Sequence, residues 1–337
     1  MNIIKLNDIF PKLEVISHQR IEKVDIYFIS APITPPENLI SLREALEKGL
    51  ATIREIEGAE RVHELEIINN SDKYVIGVRG DIIRGGKQNR CLVITIIIPP
   101  KQVVSPKKLR QISETSHMSP IIARMRAPLF SCVEALRWHY AGGKAFRYAA
   151  RLSLFSKASY LLLERRSPSR STSLAFLPSL QHDTWEKINA ILNAMGVKSK
   201  TKNFLDAVEA ISKEKIEIPE NAKGVIIFFN GRAYHGEFFN VKDTKKFIED
   251  SIKAALLDYL LMTAGGIKIK TTYENINSII NELLNCELIE RDSLLAEKAF
   301  DINHEKIHGQ LICFGNTPVY LEFTLPIESI EIRVNKF

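Results

Sequence analysis

Residues 80–100, GDIIRGGKQNRCLVITIIIPP, set a run of glycine, charge and amide directly against an aliphatic stretch. Gly85 and Gly86 permit positive φ and leave backbone N–H groups free to form an anion nest. Lys87 and Arg90 add cations, Gln88 and Asn89 add amide hydrogen bonds, and Asp81 adds a carboxylate. Such a set suits a phosphate and a ribose, with Asp81 as general acid or base in a catalytic site. The spacing is not a Walker A loop, because GxxxxGK[ST] is absent. It is not a dinucleotide fingerprint, because no helix follows. A polar hairpin turn is the plain alternative.

A second group lies in FSCVEALRWHY, residues 130–140. Glu134, Arg137 and Trp138 stand at i, i+3 and i+4, on one face of a helix. Arg137 there would bind a phosphate, Trp138 would stack a base, and Glu134 is the other candidate acid or base. A surface ion pair beside a tryptophan is the alternative. Cys132 and His139 invite a nucleophile and base. Seven residues of helix hold them about 10 Å apart, so a small buried cysteine suits the position better. HEKIH, residues 304–308, matches the H-E-x-x-H of zinc peptidases. Asn303 and Gly309 would cap about one turn of helix there, and no histidine follows His308. QLICF already reads as a strand, so no metal site is expected.

These groups need a scaffold, and the composition supplies one. The chain has 337 residues, 45% hydrophobic and 26% charged, enough for one large domain or two ordinary ones. Its longest aliphatic run, Cys91 to Ile98, is too short to span a bilayer. The first residues, MNIIKLNDIFPKLEV, carry charge where a signal peptide needs an apolar stretch. A cytoplasmic protein with no membrane partner is expected. The four cysteines form no C-x-x-C pair, which argues against a zinc ribbon or a thioredoxin-like motif. The residues point to no particular cofactor.

Charge is unevenly spread. The net charge is +6, yet residues 101–170 hold fourteen Lys/Arg against three Glu, a local +11. Lys107, Lys108, Arg110, Arg124, Arg126, Arg165, Arg166 and Arg170 are the candidate nucleic-acid contacts in this segment. A basic patch attracts phosphate, on RNA or on a nucleotide; a solvated face with its counter-charges elsewhere is the alternative.

Periodicity fixes the elements. KVDIYFISAP alternates as a strand. SLREALEKGL reads as a helix, with Ser41 and Glu44 as a capping box and Gly49 as its stop. ATIREI, ERVHELEIINN and KYVIGVRG follow as strands, and CLVITIII, apolar on both faces, as one central strand. Residues 132–163 read helically, and RRSPSRSTS as a basic loop. Helices follow at about 183–195 and 203–212. GVIIFFNGRAYHGEFF is a hairpin turned by Asn230-Gly231. A helix over about 243–263, another near 272–285 and a GQLICFG/VYLEFTL hairpin complete the chain. The fold class is α+β, with largely antiparallel sheets and packed helices in a single compact protein.

GDIIRGGKQNR, then an aliphatic strand, PP, and SCVE-x-x-RW together resemble one family. It is the ADP-ribosylglycohydrolase- and rhodanese-phosphatase-associated protein domain family. Its pattern is roughly G-E-x-L-x-G-A-K-Q-N-R, a strand ending in PP, then S-C-V-E-x-G-R-W. SLREALEKGL, the Gln181 and Trp185 pair, and the GVIIFFNGRAYHGEFF hairpin follow in the family's order. The motif falls on Gly80, Gly85, Lys87, Gln88, Asn89, Arg90, Cys132, Glu134, Arg137 and Trp138. Asp81 replaces Glu, Gly86 replaces Ala, and Ala135-Leu136 replace the usual residue and Gly. The resemblance implies a family-like domain over 1–265, with a basic insertion at about 101–130. A C-terminal helix and hairpin over 266–337 would pack onto the same domain. It further implies metabolism of NAD, ADP-ribose or RNA ends. The expected protein binds a nucleotide- or ADP-ribose-like ligand, a phosphate-bearing small molecule, as an enzyme or a sensor. The competing expectation is a non-enzymatic RNA- or ribosome-binding factor that uses the basic 101–170 segment.

Overall fold

Along GVIIFF, Val225, Ile227 and Phe229 pack into one buried cluster, and Ile226 and Phe228 into another. That period of two belongs to a strand covered on both faces. The computed structural model describes residues 4–10, 12–55, 65–85, 89–92, 95–101, 103–104, 129–131, 147–151, 186, 188–198, 203–211, 215–264, 275–291 and 295–325. In it, this segment belongs to a nine-stranded sheet. The sheet's first strands are β1 (Ile4–Lys5), β2 (Glu14–Ile21) and β3 (Val24–Ser30). The hairpin adds β14 (Gly224–Phe229) and β15 (Arg232–Phe239). The last four are β16 (Glu287–Arg291), β17 (Glu297–Asn303), β18 (His308–Phe314) and β19 (Thr317–Thr324). Their order is β1-β16-β17-β18-β19-β15-β14-β3-β2, with every neighbouring pair antiparallel. Asn230 and Gly231 turn β14 into β15 with φ of 53° and 75°, the two positive values that a type I′ turn requires.

Three smaller sheets carry the motif-bearing part of the chain. One has the order β10-β7-β4, from β4 (Leu39–Ser41), β7 (Tyr74–Gly77) and β10 (Ile96–Ile98), and its β4–β7 pair is parallel. Another runs β11-β6-β5, from β5 (Ala51–Glu55), β6 (Leu65–Asn69) and β11 (Val103–Val104). The third runs β12-β9-β8-β13, from β8 (Asp81–Arg84), β9 (Arg90–Leu92), β12 (Leu129–Ser131) and β13 (Arg147–Arg151). The described helices are α1 (Leu6–Ile9), α2 (Leu42–Glu47), α3 (188–194), α4 (Phe204–Ile211), α5 (Thr244–Ala264) and α6 (Ile276–Leu284). Ser41 caps α2 as its spacing predicts, its Oγ accepting the Glu44 N–H at 3.0 Å.

Packing assigns a side to each layer. On one face of the large sheet, Phe247, Ile248, Ile252 and Tyr259 of α5 join Ile26, Val225 and Ile227. Ile76, Val78 and Ile97 enter the same cluster, so the β10-β7-β4 sheet lies on that face. On the other face, Leu6 of α1 and Ile279, Ile280 and Leu283 of α6 pack against Ile226, Phe228 and Phe323. Each such side chain contributes about 2 kcal/mol on leaving water. A third cluster joins α3 and α4 to β5, β6, β8 and β9. The architecture is the α+β, mainly antiparallel class that the sequence implies. Among the described residues, no helix is long and apolar enough to cross a membrane.

Three local expectations are corrected. CLVITIII is not one central strand: it supplies β9 to one sheet and β10 to another. The chain breaks at Thr95, whose Oγ1 accepts the Arg79 N–H at 3.0 Å. The run is apolar on both faces because it serves two layers. Although β10 is an edge strand, its rim is covered: Ala296 N donates to the Ile97 carbonyl at 3.3 Å, and Ile97 N donates to Glu297 Oε2 at 3.2 Å. The helical reading of 132–163 fails at Arg147–Arg151, which is strand β13 paired with β8. RYAAR is too short to set its own period, so the ladder partner decides. The rest of 132–163 lies outside the described residues. HEKIH forms no helix, because Asn303 ends β17 and Gly309 lies within β18. Instead His304 Nδ1 accepts N–H groups from Lys306 and Ile307, at 3.1 and 3.2 Å.

Candidate functional site

Asp81 opens β8 directly after a tight turn. Val78 N donates to Asp81 Oδ2 at 2.9 Å, and Asp81 N donates to the Val78 carbonyl at 3.0 Å. Arg151 stands opposite Asp81 in the β8–β13 ladder, and this register brings Arg151 Nη1 within 2.8 Å of Asp81 Oδ1. Arg151 Nη2 reaches onward to Glu237 Oε1 of β15 at 2.5 Å and to the Arg79 carbonyl at 3.1 Å. One guanidinium thus ties the small sheet to the large one. Its Cζ also sits 5.1 Å from the centre of the Phe239 ring, a cation–π contact.

Glu237 gathers further donors. Tyr320 Oη donates to Oε1 at 2.8 Å, and Ser251 Oγ of α5 donates to Oε2 at 2.5 Å. Glu322 lies directly across from Glu237 on β19. Like charges so placed repel, and Arg79 offsets the repulsion by donating Nε and Nη2 to Glu322 Oε2 at 2.9 and 2.7 Å. Gln310 continues the row on β18, opposite Glu322, and accepts from Arg291 Nη2 at 3.0 Å. His235 Nδ1 lies 3.1 Å from the Phe323 carbonyl, which can only accept, so that nitrogen carries the proton. Its Nε2 faces Glu237 Oε2 at 3.5 Å.

The whole network is interior: Asp81, Arg79, Arg151, Glu237, Glu322 and Tyr320 are each at most 2% exposed. Burial pushes the Asp81 carboxyl up to about 6, against the opposing pull of Arg151 and the Val78 N–H. Burial, with Glu237 and Glu322 nearby, raises the Tyr320 phenol well above its ordinary value. Among the described residues, no group of three or more His, Cys, Asp or Glu is placed to hold a metal.

Beyond Asp81 the strand runs into the glycine-rich turn. Ile82 pairs with Cys91 and Ile83 with Arg90, so the same register, continued by one residue, sets Arg84 opposite Asn89. By strand alternation Asp81, Ile83 and Arg90 share one face, and Arg84 and Asn89 fall on the other. Asn89 closes the turn, its Oδ1 accepting the Gly85 N–H at 3.2 Å. Asn89 is fully buried, and its Nδ2 makes no hydrogen bond. Arg90 is 2% exposed.

Of the motif residues singled out in the sequence, Gly80 lies in the turn before β8, Gly85 and Asn89 in the turn between β8 and β9, and Asp81 and Arg90 on those strands, on the face opposite Asn89. Gly86, Lys87, Gln88, Cys132, Glu134, Arg137, Trp138 and His139 lie outside the described residues. So do Lys107, Lys108, Arg110, Arg124, Arg126, Arg165, Arg166 and Arg170. Sequence reasoning missed Arg79, Arg151, His235, Glu237, Tyr320 and Glu322. A signal for two of them exists: HGEFF and VYLEFTL each carry one carboxylate inside an apolar strand. A lone buried charge of that kind requires a partner.

A family model described as the ARG and Rhodanese-Phosphatase-superfamily-associated Protein domain matches residues 12–105 and 123–324. The match spans all the residues of the ionic network and passes over 106–122, a stretch within the basic 101–130 segment. No curated protein and no solved structure matches the chain.

Proposed function

The chain belongs to the ARG and Rhodanese-Phosphatase-superfamily-associated family, and from that premise we propose that it binds a nucleotide- or ADP-ribose-like ligand at the Gly85–Arg90 turn. The observation that carries this reading is Asn89. Its oxygen is committed to the Gly85 N–H, while its fully buried Nδ2 has no acceptor. An unmet buried donor costs about 1–3 kcal/mol, and an oxygen-rich ligand removes that cost. From the sequence motif, Lys87 and Gln88 would add a cation and an amide, and Glu134, Arg137 and Trp138 would add phosphate and base contacts. Asp81, on the opposite face of β8 and inside the ionic network, positions the strand that carries the turn, which leaves Glu134 as the acid or base of this reading in an enzyme of NAD, ADP-ribose or RNA-end metabolism. Titration calorimetry with ADP-ribose tests the reading: Asn89→Ala and Lys87→Ala should each weaken binding about tenfold, one hydrogen bond's worth. Wild-type affinity in both variants would sink it.

A second reading rests on the +11 charge of residues 101–170, which suits RNA or a ribosomal surface.

A further inference from the structure

We propose that Arg84 and Arg147 join Asn89 in a phosphate-binding row at the turn end of the four-stranded sheet. The proposal rests on the reading of the turn as a ligand site and names the part of the ligand held there. Arg147 stands opposite Arg84 in the β13–β8 ladder. The β8–β9 register, continued by one residue, sets Asn89 opposite Arg84 on its other side. Three laterally neighbouring positions, on β13, on β8 and just before β9, are therefore arginine, arginine and asparagine on one face of the sheet. Cβ atoms at such positions are about 5 Å apart, and like charges placed there destabilise the pairing. A shared anion turns that repulsion into attraction.

The hydrogen bonds agree. Arg84 Nε is buried and makes no hydrogen bond, although the side chain as a whole is 33% exposed. Its Nη1 lies 3.7 Å from Glu209 Oε1 on α4, and that glutamate side chain is 69% exposed. So long and wet a contact holds an arginine weakly. Asn89 offers only its Nδ2 donor, its oxygen being used within the turn. Arg84 and Asn89 thus present unmet N–H groups, and the residue paired with Arg84 on β13 is a second arginine. Planar guanidinium forks match phosphate oxygens two at a time, so the row suits the phosphate or diphosphate of the ligand rather than its base.

The test is calorimetry of the full chain with ADP-ribose, pyrophosphate and adenosine. Arg84→Gln and Arg147→Gln should each weaken ADP-ribose and pyrophosphate binding at least tenfold and flatten their salt dependence. Adenosine, which lacks phosphate, should bind the variants and the wild type alike. Arg84→Lys, which keeps the charge and loses the fork, should fall between. Variants that bind ADP-ribose like the wild type would overturn the row and leave the turn site standing. A wild-type protein that binds neither ADP-ribose nor pyrophosphate would overturn both. Thermal melts of all variants separate lost binding from lost folding.

Discussion

Arg151 joins Asp81 and Glu237, two interior carboxylates on different sheets, through one guanidinium. The pairing fixes where Asp81 points, and burial keeps its proton available. The sign of the pH effect follows. Folding raises the Asp81 carboxyl from its ordinary 3.8 to about 6, so the folded state holds that proton more tightly than the unfolded chain. The stability this confers is fully present below about pH 4 and is lost as pH rises through 6. The difference amounts to about 3 kcal/mol. Asp81→Asn cannot titrate. Denaturant unfolding at steps from pH 4 to pH 7 should show the wild type losing about 3 kcal/mol relative to the variant. A constant difference across that range would show that Asp81 does not titrate there.

At the scale of elements, short-range chemistry was readable and long-range register was not. The Asn230-Gly231 turn and the Ser41 cap each depend on residues a few positions apart, and both stand where the spacing puts them. β13 depends on its partner β8, sixty-odd residues earlier in the chain, and RYAAR alone could not reveal it. Nor could the motif show that Arg151 would face Asp81, or that Glu237 and Glu322 would stand side by side. Glycine spacing reinforces that pairing. A Cβ at Gly309 would overlap the Glu322 carbonyl oxygen, and one at Gly224 would overlap that of Glu237. Both carboxylate-bearing strands thus rely on a neighbour with no side chain. Gly309→Ala should cost about 3 kcal/mol in urea unfolding and displace Glu322 from Arg79. A variant as stable as the wild type would mean that the strands can part without penalty.

For the molecule as a whole, the basic segment and the ionic network are separable questions. The family match passes over residues 106–122, so the fold is expected to survive their deletion. If the basic segment is the RNA contact, the deletion, which removes Lys107, Lys108 and Arg110, should weaken a salt-dependent RNA affinity measured by filter binding and lower its salt slope while leaving the melting temperature unchanged. Undiminished RNA binding by the shortened chain would remove that reading. The strand order of the large sheet also governs how the protein is made. β1 pairs with β16, Ile4 against Leu288, and β15 pairs with β19, Phe239 against Tyr320. A chain emerging from the ribosome therefore displays its N-terminal strands long before their partners exist. Sheets dominated by such distant pairings fold slowly. Until residue 324 is clear, Glu237 lies on an open edge without Tyr320 or the strand that carries Glu322. The emergence of β19, more than any local propensity, sets the moment at which the interior charges are sealed from water.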